Sequence, residues 1–254
     1  MIVAVAGWRG VGTTTTALLV ASCLAARADE ASWLIEADPA GGALAGRMHL
    51  QSDTVGGLER VAFPPERLAP LVAFEALAHK VGALRIVTAP SDPFRAHACH
   101  QPRLPWVTSL RELSENVIVD VGRLRSGTPV WPILVIADVV LLVAAPEVSA
   151  AVSTSEWMNA SGRVSPVDPG ITADKVHLVF VDSIGGVKFP FSTLSIDFDD
   201  RFATWLPWEP PAVDLVHRGA EPGDRRLRRS SLMSAVNKLA GDLASDIGLS
   251  QVHV

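Results

Sequence analysis

Ile2-Val3-Ala4-Val5-Ala6-Gly7-Trp8-Arg9-Gly10-Val11-Gly12-Thr13-Thr14-Thr15 joins an apolar run to a glycine-rich turn and then to a helical pattern that continues to Ala26. Strand, glycine turn and helix in that order gather backbone N–H groups and a helix N-terminus around a phosphate. The phosphate-loop pattern G-x-x-x-x-G-K-[ST] fits at Gly7, Gly12 and Thr14, but Thr13 stands at its lysine position. A lysine there sets an ammonium against the β- and γ-phosphates, whereas a threonine hydroxyl brings no charge. The loop has the backbone of a phosphate cradle and lacks its main cation.

Further apolar runs at 33–37, 84–88, 116–121, 138–144 and 175–182 join 2–6 as predicted strands. Helical periodicity at 14–28, 69–80, 148–160 and 230–247 predicts helices between several of them. Near-continuous Val, Ile and Leu suits strands covered on both faces. The alternation therefore predicts an α/β fold, doubly wound, with a mainly parallel sheet and helices on both faces, as one domain over 1–254. Residues 89–106, with four prolines, read as a loop, and 183–211 as a hairpin followed by a turn.

Composition narrows the function classes. A chain of 254 residues that is 48% hydrophobic can bury a full core. A net charge of −5 argues against a surface given over entirely to nucleic acid. Cys23 falls in a helical pattern and Cys99 in a loop, so no disulfide framework is implied. The first strand begins at residue 2, which leaves no room for a charged leader and cleavage site. The longest apolar run, 130–145, is broken by Pro132 and Asp138 and is short for a membrane span. The expectation is a cytoplasmic protein with no direct membrane insertion.

Two acidic motifs follow the loop. Glu36-Ala37-Asp38-Pro39-Ala40-Gly41-Gly42 closes the second strand, where open α/β sheets gather their ligands. A carboxylate there holds a metal-bound water or orients an attacking one, although Asp-Pro and Gly-Gly also serve ordinary turns. Val117-Ile118-Val119-Asp120-Val121-Gly122 ends a buried strand in an acidic residue, the pattern that anchors Mg²⁺ in phosphate-loop proteins. Many parallel strands end in Asp, so the order of the three motifs carries more than any one of them.

Together these residues resemble the ParA/MinD family of deviant phosphate-loop ATPases. Its K-G-G-V-G-K-T-T motif is similar to Trp8-Arg9-Gly10-Val11-Gly12-Thr13-Thr14-Thr15, its D-x-D-P segment to Glu36-Ala37-Asp38-Pro39, and its metal-anchoring strand to the one ending at Asp120. Ala137 to Val143 with Pro146-Glu147 resembles the next strand, and Leu206-Pro207-Trp208-Glu209 with Arg218-Gly219 resembles its I-P-x-D…G element. The resemblance implies ATP or ADP with Mg²⁺. Gly7, Arg9, Gly10, Val11, Gly12, Thr13, Thr14, Thr15, Asp182 and Pro207 would contact the nucleotide. Thr14, Asp120 and Glu36 would hold the metal, and Asp38 would orient water.

The departures from the family bear on activity. Trp8 stands in place of the lysine that crosses a nucleotide-sandwich dimer, and Thr13 in place of the loop lysine. Asp182 stands where the family has a base-reading Asn, which removes an amide donor. Loss of both lysines should harm hydrolysis more than binding, because phosphoryl-transfer catalysis is largely electrostatic. Three readings remain: a degenerate nucleotide binder acting as scaffold or regulator, an active ATPase with Arg9 supplying the charge, and a nucleotide-free interaction module. Arg9 is otherwise a solvated loop residue, and Trp8 either packs at a partner interface or covers apolar surface of its own chain. Self-association or a protein partner is expected. The run Arg225, Arg226, Arg228 and Arg229 is a solvated face or a contact for DNA or an acidic partner. His97, Cys99 and His100 lie close together in sequence but match no common zinc spacing.

Overall fold

The computed structural model describes residues 1–8, 10–27, 32–50, 57–64, 68–101, 105–113, 116–125, 128–161, 173–182, 202–220 and 223–250. Its strands are β1 (Ile2–Gly7), β2 (Ser32–Glu36), β3 (His79–Val81), β4 (Leu84–Val87), β5 (Val117–Arg123), β6 (Val139–Ala144), β7 (Val176–Val181) and β8 (Phe202–Leu206). They form one sheet in the order β3-β4-β2-β5-β1-β6-β7-β8. The edge pair β3–β4 is antiparallel and the other pairings are parallel. The expected doubly wound, mainly parallel α/β sheet is the observed one.

The described helices are α1 (Thr13–Ala25), α2 (Leu44–Arg47), α3 (Gly57–Ala62), α4 (Pro70–Leu77), α5 (Pro93–Ala98), α6 (Trp106–Ser109), α7 (Trp131–Ile136), α8 (Val148–Ser161), α9 (Pro210–His217), α10 (Arg225–Arg228) and α11 (Ser231–Ser250). Side chains of β1 alternate between the two faces of the sheet. Ala4 and Ala6 join a core containing Trp33, Phe74, Trp106, Ile133 and Phe180. Val3 and Val5 join the opposite core with Leu24, Leu34, Ile118, Leu141 and Met233. In α1, eleven of thirteen residues are buried. It is apolar nearly all round because the sheet covers one side and α11 the other. That enclosure fixes the end of β1 and the start of α1 against each other.

Six expected strands are present as β1, β2, β4, β5, β6 and β7. Two stretches depart from the sequence reading. The helix expected over 69–80 stops at Leu77, and His79–Val81 forms the antiparallel edge strand instead. Within 89–106, the loop reading gives way to α5. Asp92 accepts the backbone N–H groups of Phe94 and Arg95, and Pro93 occupies the first helical turn, where a missing N–H costs nothing. The hairpin expected within 183–211 falls mostly on residues 183–201, which lie outside the described residues; Phe202–Leu206 pairs with β7 in parallel. Among the described residues no helix is long and apolar enough to cross a membrane.

Candidate functional site

Gly7 ends β1 and Thr13 begins α1. Gly12 caps the helix with φ 93°, a left-handed conformation that glycine takes without strain. Among the described residues no side chain caps α1. Its first-turn amides, with the positive end of the helix dipole, are thus available to an anion. A Cβ on Gly7 would run into the Thr13 hydroxyl, so strand and helix meet there only because residue 7 has no side chain. The Thr13 hydroxyl is buried and has no hydrogen-bond partner. Arg9 lies outside the described residues.

The carboxyl ends of β2 and β5 lie side by side, with Glu36 in register with Asp120. Glu36 is buried. Its Oε1 accepts the N–H groups of Ala43 at 2.5 Å and Leu44 at 2.9 Å, and its Oε2 that of Ala89 at 3.1 Å. Burial pushes its carboxyl up, and those three amides oppose the shift. Glu36 therefore fastens the 37–44 turn to the segment that follows β4, and it is not among the residues lining the cavity described below. Asp38, carried by that turn, accepts the Ala40 N–H at 2.8 Å. Burial raises its carboxyl, while the Ala40 amide and the charges of Arg123 and Arg125 pull it down.

Asp120 is fully buried. Burial pushes its carboxyl up to about 7, with Glu36 and Asp38 adding to the shift and the Thr14 hydroxyl and Gly122 amide opposing it. Its Oδ1 accepts the Gly122 N–H at 3.1 Å, and its Oδ2 is buried without a partner. The pairing of β1 with β5 slips by one residue here: Val5 faces Asp120, but Ala6 faces Gly122, leaving Val121 as a bulge. Gly122 has φ 66°, and a Cβ on it would overlap the Asp38 carboxylate. Arg123 then falls opposite Gly7, and its Nη2 lies 2.9 Å from where a Cβ on Gly10 would stand. Bulges commonly re-aim a side chain in this way.

A cavity of about 650 Å³ opens over the loop. Gly10, Val11, Gly12, Thr13, Thr14, Thr15, Asp38, Asp182 and Pro207 all line it. Gly7 and Asp120 lie behind its wall. Arg47, Arg123, Glu147, Trp208 and His217 also line it and were not singled out as site residues from the sequence. His217 Nε2 and Thr15 Oγ1 are hydrogen-bonded at 3.2 Å. The His217 imidazole is held down by burial and by Arg47. Among the described residues that line it there is no lysine.

Several other expectations fall outside the cavity. Trp8 is half-buried and meets Trp157 of α8 edge-on, with ring centroids 5.9 Å apart. It covers apolar surface of its own chain. Arg225, Arg226, Arg228 and Arg229 lie around α10, which Leu227 anchors, and Arg226 pairs with Asp224 at 3.2 Å. Among the described residues no group of three His, Cys, Asp or Glu side chains is placed to hold a metal. Cys99 donates to the Arg95 carbonyl at 3.2 Å, and His100 meets Trp106 edge-on.

These residues fit a nucleoside polyphosphate with a divalent cation. The residues at the uncapped start of α1 line the cavity, the Thr13 hydroxyl is unsatisfied, and Asp120 keeps a buried oxygen without a partner near Thr14. No protein-family model matches the sequence, and no curated protein matches it significantly. Solved structures do resemble it. The cell division ATPase MinD of Pyrococcus furiosus superposes with a TM-score of 0.72 at 16% identity, covering 96% of this chain and 98% of that one. A ParA family ATPase from Chlorobium tepidum gives 0.73 at 14% identity, covering 94% and 96%. The septum site-determining protein MinD of Pyrococcus horikoshii, solved with Mg-ADP, gives 0.72 at 15% identity, covering 98% and 97%. The chain has the fold of the MinD and ParA phosphate-loop ATPases.

Proposed function

We propose that this protein binds a nucleoside di- or triphosphate with Mg²⁺ in the loop cavity, hydrolyses it slowly or not at all, and acts as a scaffold or regulator. The machinery it serves would be one of positioning, division, or secretion or pilus assembly. One observation carries the reading: the loop residues, Thr14 and Asp38 line a single cavity, and no lysine is among its described lining residues. Amides suffice to hold an anion. Fast phosphoryl transfer also needs preorganised charge on the oxygens that become more negative. Mg²⁺, held by Thr14 and Asp120, would supply part of that charge, and Asp38 would orient water. The Pyrococcus horikoshii MinD carries Mg-ADP on the same fold, which supports the choice of ligand.

A protein partner or self-association accompanies this reading. Phe94 on α5 is 85% exposed, and Val148 and Val152 project from α8. For the nucleotide-free module, whose loop Trp8 and Arg9 would fill, Trp8 counts against the reading because it packs on Trp157 and is not among the described residues lining the cavity; Arg9 lies outside the described residues.

Titration with labelled ATP and ADP, with and without Mg²⁺, alongside phosphate-release assays, tests the proposal. Saturable binding with turnover near background is the expected result. Thr13→Lys should tighten binding roughly 10- to 100-fold through one charge-assisted contact. Robust wild-type turnover that disappears in Arg9→Ala would favour the active ATPase. No binding of either nucleotide would favour the interaction module.

A further inference from the structure

We propose that Arg123 is the cation of the phosphate site, standing in for the missing loop lysine from a different strand. Its ligand is the polyphosphate of a nucleoside di- or triphosphate, so the inference rests on the nucleotide-binding reading above. Arg123 ends β5 opposite Gly7, the first loop residue, and its guanidinium lies against Gly10 inside the same cavity as Thr13, Thr14 and Thr15. The path to that position is built into the strand. The bulge at Val121 shifts the register by one residue, and Gly122 turns the chain at a φ of 66°.

Charge balance makes the assignment consequential. Among the described residues that line the cavity, Asp38, Glu147 and Asp182 bring three carboxylates against two arginines, Arg47 and Arg123. Arg47 sits beside His217, near Thr15, whereas Arg123 is the one of these two described arginines that lies against Gly10 of the loop. Its electrostatic neighbour is Asp38, which Arg125 also faces, so Asp38 keeps a compensating charge when Arg123 turns to a phosphate. A guanidinium is permanently charged and grips phosphate with two parallel N–H donors, which a lysine cannot do. The buried, unpartnered Thr13 hydroxyl, 7% exposed and part of the same wall, is a second mark of a ligand at this spot.

The test is displacement of a fluorescent ATP analogue in the presence of Mg²⁺ from wild type, Arg123→Ala, Arg123→Lys and Arg111→Ala. ATP, inorganic tripolyphosphate and adenosine serve as competitors. Arg111→Ala removes the same charge at the opposite ends of the strands, where Arg111 pairs with Asp138 at 3.6 Å. The expected result is roughly 10- to 100-fold weaker ATP binding in Arg123→Ala and partial recovery in Arg123→Lys, with Arg111→Ala like wild type. Tripolyphosphate should compete in wild type and fail in Arg123→Ala, while adenosine affinity stays the same, a pattern that a misfolded variant would not give. If wild type binds ATP and Arg123→Ala binds within twofold of it, the Arg123 assignment is overturned while the nucleotide reading stands. If wild type binds no ATP, both fall together.

Discussion

At Asp120 burial and charge conflict. Its carboxyl, pushed up to about 7, retains a proton that the unfolded chain gives up near pH 4. An acid raised on folding contributes stability that is fully present below about pH 4 and is lost as the pH rises through about 7. Magnesium-free wild type should therefore lose stability between those limits relative to Asp120→Asn, by an amount on the order of a few kcal/mol. Thermal melts of both proteins at pH 5 and pH 8 measure it, and parallel curves would refute the burial account. The residue was legible in the sequence because an acid after a long apolar strand marks a strand end. Arg123, three positions on, was not. Counting alternate faces along a strand fails across a bulge, and nothing in Val121 announces one. Glu36 was legible as a carboxylate at a strand end, but its grip on the amides of Ala43, Leu44 and Ala89 depends on a turn whose path the sequence does not state.

β5 brings Asp120, Gly122 and Arg123 to the site, and Gly122 is the hinge of that arrangement. A side chain there meets a left-handed backbone and the Asp38 carboxylate at once. Gly122→Ala should cost more than about 1 kcal/mol in urea unfolding and weaken nucleotide binding by displacing Asp38. Gly46→Ala is the informative contrast: it lies within α2, nothing approaches its Cβ, and the change should be neutral or stabilising by up to about 1 kcal/mol. Equal losses in the two variants would remove the special role of Gly122. The strands found from sequence are those with long apolar runs. His79-Lys80-Val81 has one apolar residue and no periodicity to read, and its strand character comes from pairing with β4. Asp92-Pro93 is ambiguous in the other direction, since the same dipeptide opens a turn or caps a helix.

The sheet sets the cavity where strand order reverses about β1, with β2 and β5 on one side and β6, β7 and β8 on the other. Crevices at such switch points are the usual ligand sites of open α/β sheets, so the general position followed from the loop alone. How two chains would meet did not. Position 8 holds a tryptophan turned onto its own α8, so no lysine stands there to cross into a partner's site. Any self-association should accordingly be insensitive to nucleotide, and sedimentation with and without MgATP should give the same species. A monomer-to-dimer switch on adding ATP would contradict this. The same contact has an optical consequence. The chain holds seven Trp and no Tyr, so its ultraviolet emission is indole emission. Trp8 beside the loop and Trp157 on α8 stand at 85° to each other, close enough for their electronic transitions to couple. The circular-dichroism couplet of such a pair depends on the angle between the rings, which makes the phosphate loop its own unlabelled goniometer.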